Sequence, residues 1–232
     1  MIKKILESIE HIPPDFLKKK LDNVLWEGTP ESKALALTFD DGPDPDITPM
    51  VLETLETIGA RGTFFMVGEK VAKYPDIARM VADSGHLIGN HSMTHNKMFL
   101  TRKKEVEREL EESQTIIRDT IGMKPRWFRP PYGMFDFTVA DVVKRKGMSI
   151  VLWTVLSGDY SEYPPDKILE IVKPFMRPGA IMVFHDTLAG GGSALPGIIT
   201  ELHNRISDNG IGLDTIEALS FSGFREVEEP DD

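Results

Sequence analysis

The chain has 232 residues, no cysteine and a formal net charge of -10. Without cysteine there is no disulfide, thiolate metal site or thiol nucleophile, so any metal must be held by histidine and carboxylate. The acidic balance argues against nucleic acid as a partner, because phosphate binding calls for a clustered Lys/Arg surplus, while hydrophobic and charged shares of 41% and 28% are those of a globular domain.

At the N-terminus Ile2, Ile5, Leu6 and Ile9 recur at helical spacing, Pro13 and Pro14 interrupt them, and residues 16–25 pattern as a second short helix. Residues 1–33 are therefore expected to form a short N-terminal helical segment packed on the domain. Glu7 and Glu10 follow the basic start before any cleavage-like site, which reads as no export signal and a cytoplasmic protein. Lys3, Lys4, Lys18, Lys19 and Lys20 leave peripheral membrane association open. No run approaches the roughly 20 apolar residues of a transmembrane segment.

From residue 34 onward short β-rich apolar runs alternate with helical patterns, as repeated βα units of a parallel sheet require. The runs are 34–39, 62–67, 86–89, 126–129, 149–153, 180–184 and a weaker one at 211–213. Between them Thr48 and Pro49 read as the N-cap and first residue of a helix closed by Gly59. Residues 101–121 form the longest helical pattern, laced with charges at four-residue spacing, and Gly147 ends another over 137–146. The main unit thus spans 34–225, and the acidic stretch 226–232 is expected to be a disordered tail.

Ionisable residues stand at the ends of these runs. Asp40 and Asp41 follow the first, before Gly42-Pro43; like charges there repel unless a cation or other partner stabilises them. His91 and His95 follow the third, and would share a face if the chain turned helical there. With a carboxylate they make a three-ligand site with a position open to water, as catalytic zinc needs. Arg129 ends the fourth run ahead of Pro130-Pro131-Tyr132-Gly133, Asp159-Tyr160 follow the fifth, and His185 ends the sixth. In a parallel αβ barrel all strand C-termini open on one face, so these groups would meet. Asp44 and Asp46 read as plain turn residues, and His11, His86 and His203 as structural or surface histidines.

The order TFDDGPD, HSMTH, RPPYG, GDY and VFH resembles the polysaccharide deacetylases, the family-four carbohydrate esterases, over residues 34 to about 186. The resemblance implies an α/β fold, a single distorted (β/α)7 TIM-like barrel, holding a divalent metal. Zn2+ is the usual ion, with Co2+, Ni2+ or Mn2+ as others. Carried over by motif, the metal ligands are Asp41, His91 and His95. Asp40 corresponds to the catalytic base, Arg129 to the residue that orients it, His185 to the general acid and Asp159 to its partner. Tyr132 matches the position whose backbone N–H binds the oxyanion, and Pro131 stands beside it in the substrate-binding group. Where the family has an Asp and a Trp this chain has Leu156 and Tyr160, and Val183 stands for the usual Leu. Tyr160 and Val183 are expected to line the acetyl pocket.

The implied function is metal-dependent hydrolysis of N-acetyl groups on an N-acetylglucosamine-containing oligo- or polysaccharide, by water that the metal activates. The acetylated carbohydrate is the expected partner. Other readings on the same scaffold are an O-acetyl esterase of the xylan type, a cyclic-amide hydrolase, or a non-catalytic sugar-binding module.

Overall fold

The computed structural model describes residues 21–161 and 163–221. The helix expected over 2–9, the first half of that over 16–25, His11 and the tail 226–232 lie outside them. The strands are β1 (Val24–Leu25), β2 (Ala34–Asp40), β3 (Thr63–Met66), β4 (Leu87–Asn90), β5 (Trp127–Phe128), β6 (Ser149–Val151), β7 (Val155–Leu156), β8 (Ile181–His185) and β9 (Gly212–Asp214). The helices are α1 (Ile47–Thr57), α2 (Gly68–Lys73), α3 (Pro75–Asp83), α4 (Lys103–Ile121), α5 (Phe137–Arg145), α6 (Pro165–Val172) and α7 (Leu195–Ser207).

The strands run in the order β1-β6-β5-β4-β3-β2-β8-β7, with β9 on β2, and every pairing is parallel. The two ends of this row are drawn together by the segment joining β6 to β7: Leu152 N donates to Leu25 O at 2.8 Å and Thr154 N to Ile181 O at 2.9 Å. The result is a distorted (β/α)7 TIM-like barrel. Among the described residues no helix is long and apolar enough to cross a membrane.

Strand β2 shows why the sequence reads as a continuous apolar run. All of its residues are buried, because helices cover one face and the barrel interior the other. Leu35, Leu37 and Phe39 pack with Val51, Leu55 and Ile198 of the helical layer, whereas Ala36 belongs with Phe65, Ile181 and Val183 in a second core. The same alternation puts Thr38 and Asp40 on the inner face, with Asp40 at its open end.

Two expectations need correction. Val24 and Leu25, placed in a helical extension, are a strand: Ile150 N donates to Asn23 O at 2.9 Å and both side chains are buried beside β6. Thr48 is not the cap of α1. The helix starts at Ile47 after Asp46, and the Asp44 carboxylate takes the Asp46 and Ile47 amides, each at 3.0 Å. Asp136 caps α5 as such residues do, accepting from Thr138 N and Val139 N.

Candidate active site

Asp40 is the last residue of β2, in register with Phe65 on one side and His185 on the other. The chain then turns sharply: Asp41 has φ 72°, a left-handed conformation that short polar side chains tolerate. Gly42 fits closely here, because a Cβ would lie 2.5 Å from the Asp186 carboxylate behind it and would force that carboxylate to shift. Asp186, which the sequence reading passed over, is fully buried, and it accepts from Thr48 Oγ1 at 2.5 Å. Burial pushes its carboxyl up to about 7.

The segment from His91 to His95 is a loop, not the helical turn that its spacing allows. Ser92 and His95 both take left-handed backbone, φ 65° and 60°, and the amides of the loop go to side chains instead of to helical carbonyls. Asn90 Oδ1 accepts from Ser92 N at 2.8 Å, and Ser92 Oγ from His95 N at 3.0 Å. Glu109 of α4 accepts from Met93 N at 3.1 Å, Thr94 N at 2.9 Å and the Thr94 hydroxyl. Only 3% exposed, Glu109 is a holding residue that the charge-laced reading of this helix missed. Its signal was there: it adjoins Val106, Leu110, Ser113 and Ile117, the buried stripe of α4.

This loop and the turn after β2 bring three ligand atoms together. Asp41 Oδ1 lies 3.0 Å from His95 Nε2 and 3.4 Å from His91 Nε2, and one atom from each residue falls within 4.8 Å of the others. His91 Nδ1 is 2.7 Å from Arg129 O. A carbonyl only accepts, so Nδ1 carries the proton and Nε2 presents its lone pair to the cluster, the tautomer that a metal ligand needs. Asp41 Oδ1 is buried and makes no hydrogen bond. An orphaned carboxylate oxygen facing two imidazole nitrogens fits a divalent cation.

Beside this cluster Asp40 is clamped by Arg129. The guanidinium is completely buried, and all three of its nitrogens donate: Nη1 to Asp40 Oδ1 and Thr38 Oγ1, both at 2.7 Å, Nε to Val151 O at 3.2 Å and Nη2 to Leu152 O at 3.0 Å. Phe65 and Trp153 cover its faces, with ring centroids 4.1 and 5.8 Å away. Burial pulls the guanidinium pKa down and Asp40 opposes the shift. With Oδ1 held, the second oxygen Oδ2 faces the cluster, 4.0 Å from His91 Nε2.

On the opposite side Asp159 holds His185 twice, Oδ1 at 2.8 Å from Nδ1 and Oδ2 accepting the His185 amide at 2.7 Å. Ser157 Oγ donates to Asp159 Oδ1 at 2.8 Å. Burial lowers the His185 pKa, but the hydrogen bond and charge of Asp159, helped by Asp40 and Asp41, outweigh it and raise the value to about 9. The Tyr160 ring stands edge-on to His185, 5.6 Å between centroids. Tyr132, left-handed at φ 61° and exposed, lies 4.9 Å from the His95 ring. Pro131 is buried in the same turn. Val183 is fully buried two residues before His185, and Tyr160 is exposed. His86 takes the Gly62 amide on Nδ1 at 3.2 Å, and burial, then Arg61, lower it to about 4, so it is a neutral structural group.

A family model described as polysaccharide deacetylase matches residues 27–151. A peptidoglycan-N-acetylglucosamine deacetylase of Bacillus cereus is 33% identical over 181 residues, 76% of this chain and 66% of that protein. A chitooligosaccharide deacetylase of a Bradyrhizobium species is 35% identical over 156 residues, 67% of this chain and 71% of that one. Among solved structures, the Bc1960 peptidoglycan N-acetylglucosamine deacetylase, in complex with an N-oxidanyl-benzamide, superposes with a TM-score of 0.84 at 26% identity, covering 92% of this chain and 100% of that chain.

Proposed function

The chain belongs to the polysaccharide deacetylase family, and from that membership we propose that it removes N-acetyl groups from N-acetylglucosamine-containing oligo- or polysaccharides by metal-dependent hydrolysis. The observation that carries this reading is the flanking of one ligand cluster by two held groups, Asp40 clamped by Arg129 on one side and His185 paired with Asp159 on the other. Asp41, His91 and His95 would hold the ion, and two imidazoles with one carboxylate suit Zn2+, with Co2+, Ni2+ or Mn2+ as substitutes. When bound, the ion polarises the acetyl carbonyl and acidifies water.

The chain's own residues supply the proton traffic. Asp40 Oδ2 takes a proton from the attacking water while Arg129 keeps Oδ1 in place. The water oxygen bonds to the carbonyl carbon, and the Tyr132 amide donates to the oxyanion that forms. The C–N bond then breaks as His185, cationic below about 9, gives its Nε2 proton to the departing sugar nitrogen. The products are acetate and a free amine. Release of both from N-acetylglucosamine oligomers, compared with acetate release from acetylated xylan, tests the reading: ester cleavage without amide cleavage would turn it toward an O-acetyl esterase.

Asp159→Asn has an expected consequence of definite sign. A histidine whose folded pKa is raised gives stability that is full below its unfolded value of about 6.5 and lost as pH rises through the folded value. The His185–Asp159 pair therefore stabilises the fold most below about 6.5 and ceases to above about 9. Removing the Asp159 charge leaves burial to dominate, so the basic limb of kcat/KM on the amide moves to lower pH. Activated esters, whose leaving group needs no proton, keep their profile. An unmoved basic limb would show that another group supplies the proton.

A further inference from the structure

Residues 97–104 read Lys-Met-Phe-Leu-Thr-Arg-Lys-Lys, four cations around an apolar tip, on a chain whose net charge is -10. Met98 is buried and anchors the loop, whereas Phe99 is 43% and Leu100 79% exposed. Leu100 also sits in left-handed backbone, φ 58°, which a leucine adopts only at a cost. It is held there: its amide donates at 2.9 Å to Asp136 Oδ2, the carboxylate that caps α5. That bond brings the tip beside the 134–137 loop, where Phe137 is 66% and Met134 40% exposed.

Charge placement points the same way. Arg102, Lys103 and Lys104 occupy the N-cap and first turn of α4, the end where the helix dipole disfavours cations, so helix stability does not account for them. Nearby acids neutralise only Lys103 among these cations, and that one in part. Glu105 pairs with Arg108, Asp136 with backbone amides, and Asp141 is shared by Lys103 and Arg145. Arg102 and Lys104 make no ion pair among the described residues. The loops follow the neighbouring parallel strands β4 and β5, which puts them on the rim of the site, with Lys97 Nζ 5.5 Å from the Tyr132 ring centroid.

We propose that this rim docks the barrel on an anionic phospholipid bilayer, with Phe99 and Leu100 entering the headgroup boundary and Lys97, Arg102, Lys103 and Lys104 meeting lipid phosphates. Apolar side chains set among cations are the combination such surfaces bind. The docked mouth then opens toward the membrane surface, whatever reaction it performs.

Co-sedimentation of the full chain with vesicles tests this, using phosphatidylcholine alone and phosphatidylcholine mixed with phosphatidylglycerol. Binding is expected only with phosphatidylglycerol present, weakened by salt, and reduced by about tenfold or more in Phe99→Ser/Leu100→Ser and in Arg102→Ser/Lys104→Ser. Both variants change exposed side chains, and unaltered thermal melting shows that each is folded. No binding to phosphatidylglycerol vesicles, equal binding to both vesicles, or full binding by the folded variants would overturn the proposal; the last would place the membrane contact elsewhere in the chain.

Discussion

Asp40→Asn is expected to lower acetate release by about 10²- to 10⁴-fold, the usual contribution of a positioned general base. The substitution is nearly isosteric, and the amide oxygen can still accept from Arg129 Nη1 where Asp40 Oδ1 does now at 2.7 Å. What disappears is the basicity of Oδ2, the oxygen facing the ligand cluster. Asp41, His91 and His95 are untouched, so the variant is expected to bind its metal as the parent does. Metal content, a melting curve and the acetate assay on one preparation separate these effects. A variant that keeps its metal and loses less than about tenfold in rate would show that the water's proton goes elsewhere.

The largest expected loss of stability belongs to Arg129→Met. Methionine fills part of the space between Phe65 and Trp153 but takes away donors to Asp40, Thr38, Val151 and Leu152. The Asp40 carboxylate then stays buried without its partner, which typically costs about 3–5 kcal/mol. For a chain of this size that corresponds to a fall in Tm of roughly 6–20 °C. Arg129→Lys is expected to rescue little, since an ammonium cannot reach diverging acceptors as a planar guanidinium does. Activity falls with either change because Asp40 loses its aim. A Tm within about a degree of the parent would mean that the clamp contributes nothing net.

Much of the site was legible because the barrel buries both faces of its strands, which leaves apolar runs whose ends are marked by abrupt ionisable residues. Asp40, Asp41, His91, Arg129, Asp159 and His185 all stand at or just after such ends, and parallel topology brings them to one rim. Of the three two-residue strands, β5 is marked by the Arg129-Pro130-Pro131 turn that follows it, whereas β1 and β7 were not legible. β1 and β7 have only two residues each, too few for any periodicity to register, and Val24-Leu25 reads equally well as the end of a helix. The His91–His95 loop misled for another reason. A spacing of four suits a helix, but the backbone follows the side-chain acceptors Asn90, Ser92 and Glu109, which compete with helical carbonyls. Glu109 itself was hidden among the solvated charges of α4, and Asp186 behind the more conspicuous His185.

Stripping bound metal from the protein with a chelator and then returning Zn2+, while acetate and free amine are followed on N-acetylglucosamine oligomers, tests the deacetylase reading most directly. Release should fall to background on removal, return with Zn2+, and stay absent when Zn2+ is returned to His91→Ala. Release that persists after complete removal of the ion, or none from protein shown to hold it, would contradict that reading.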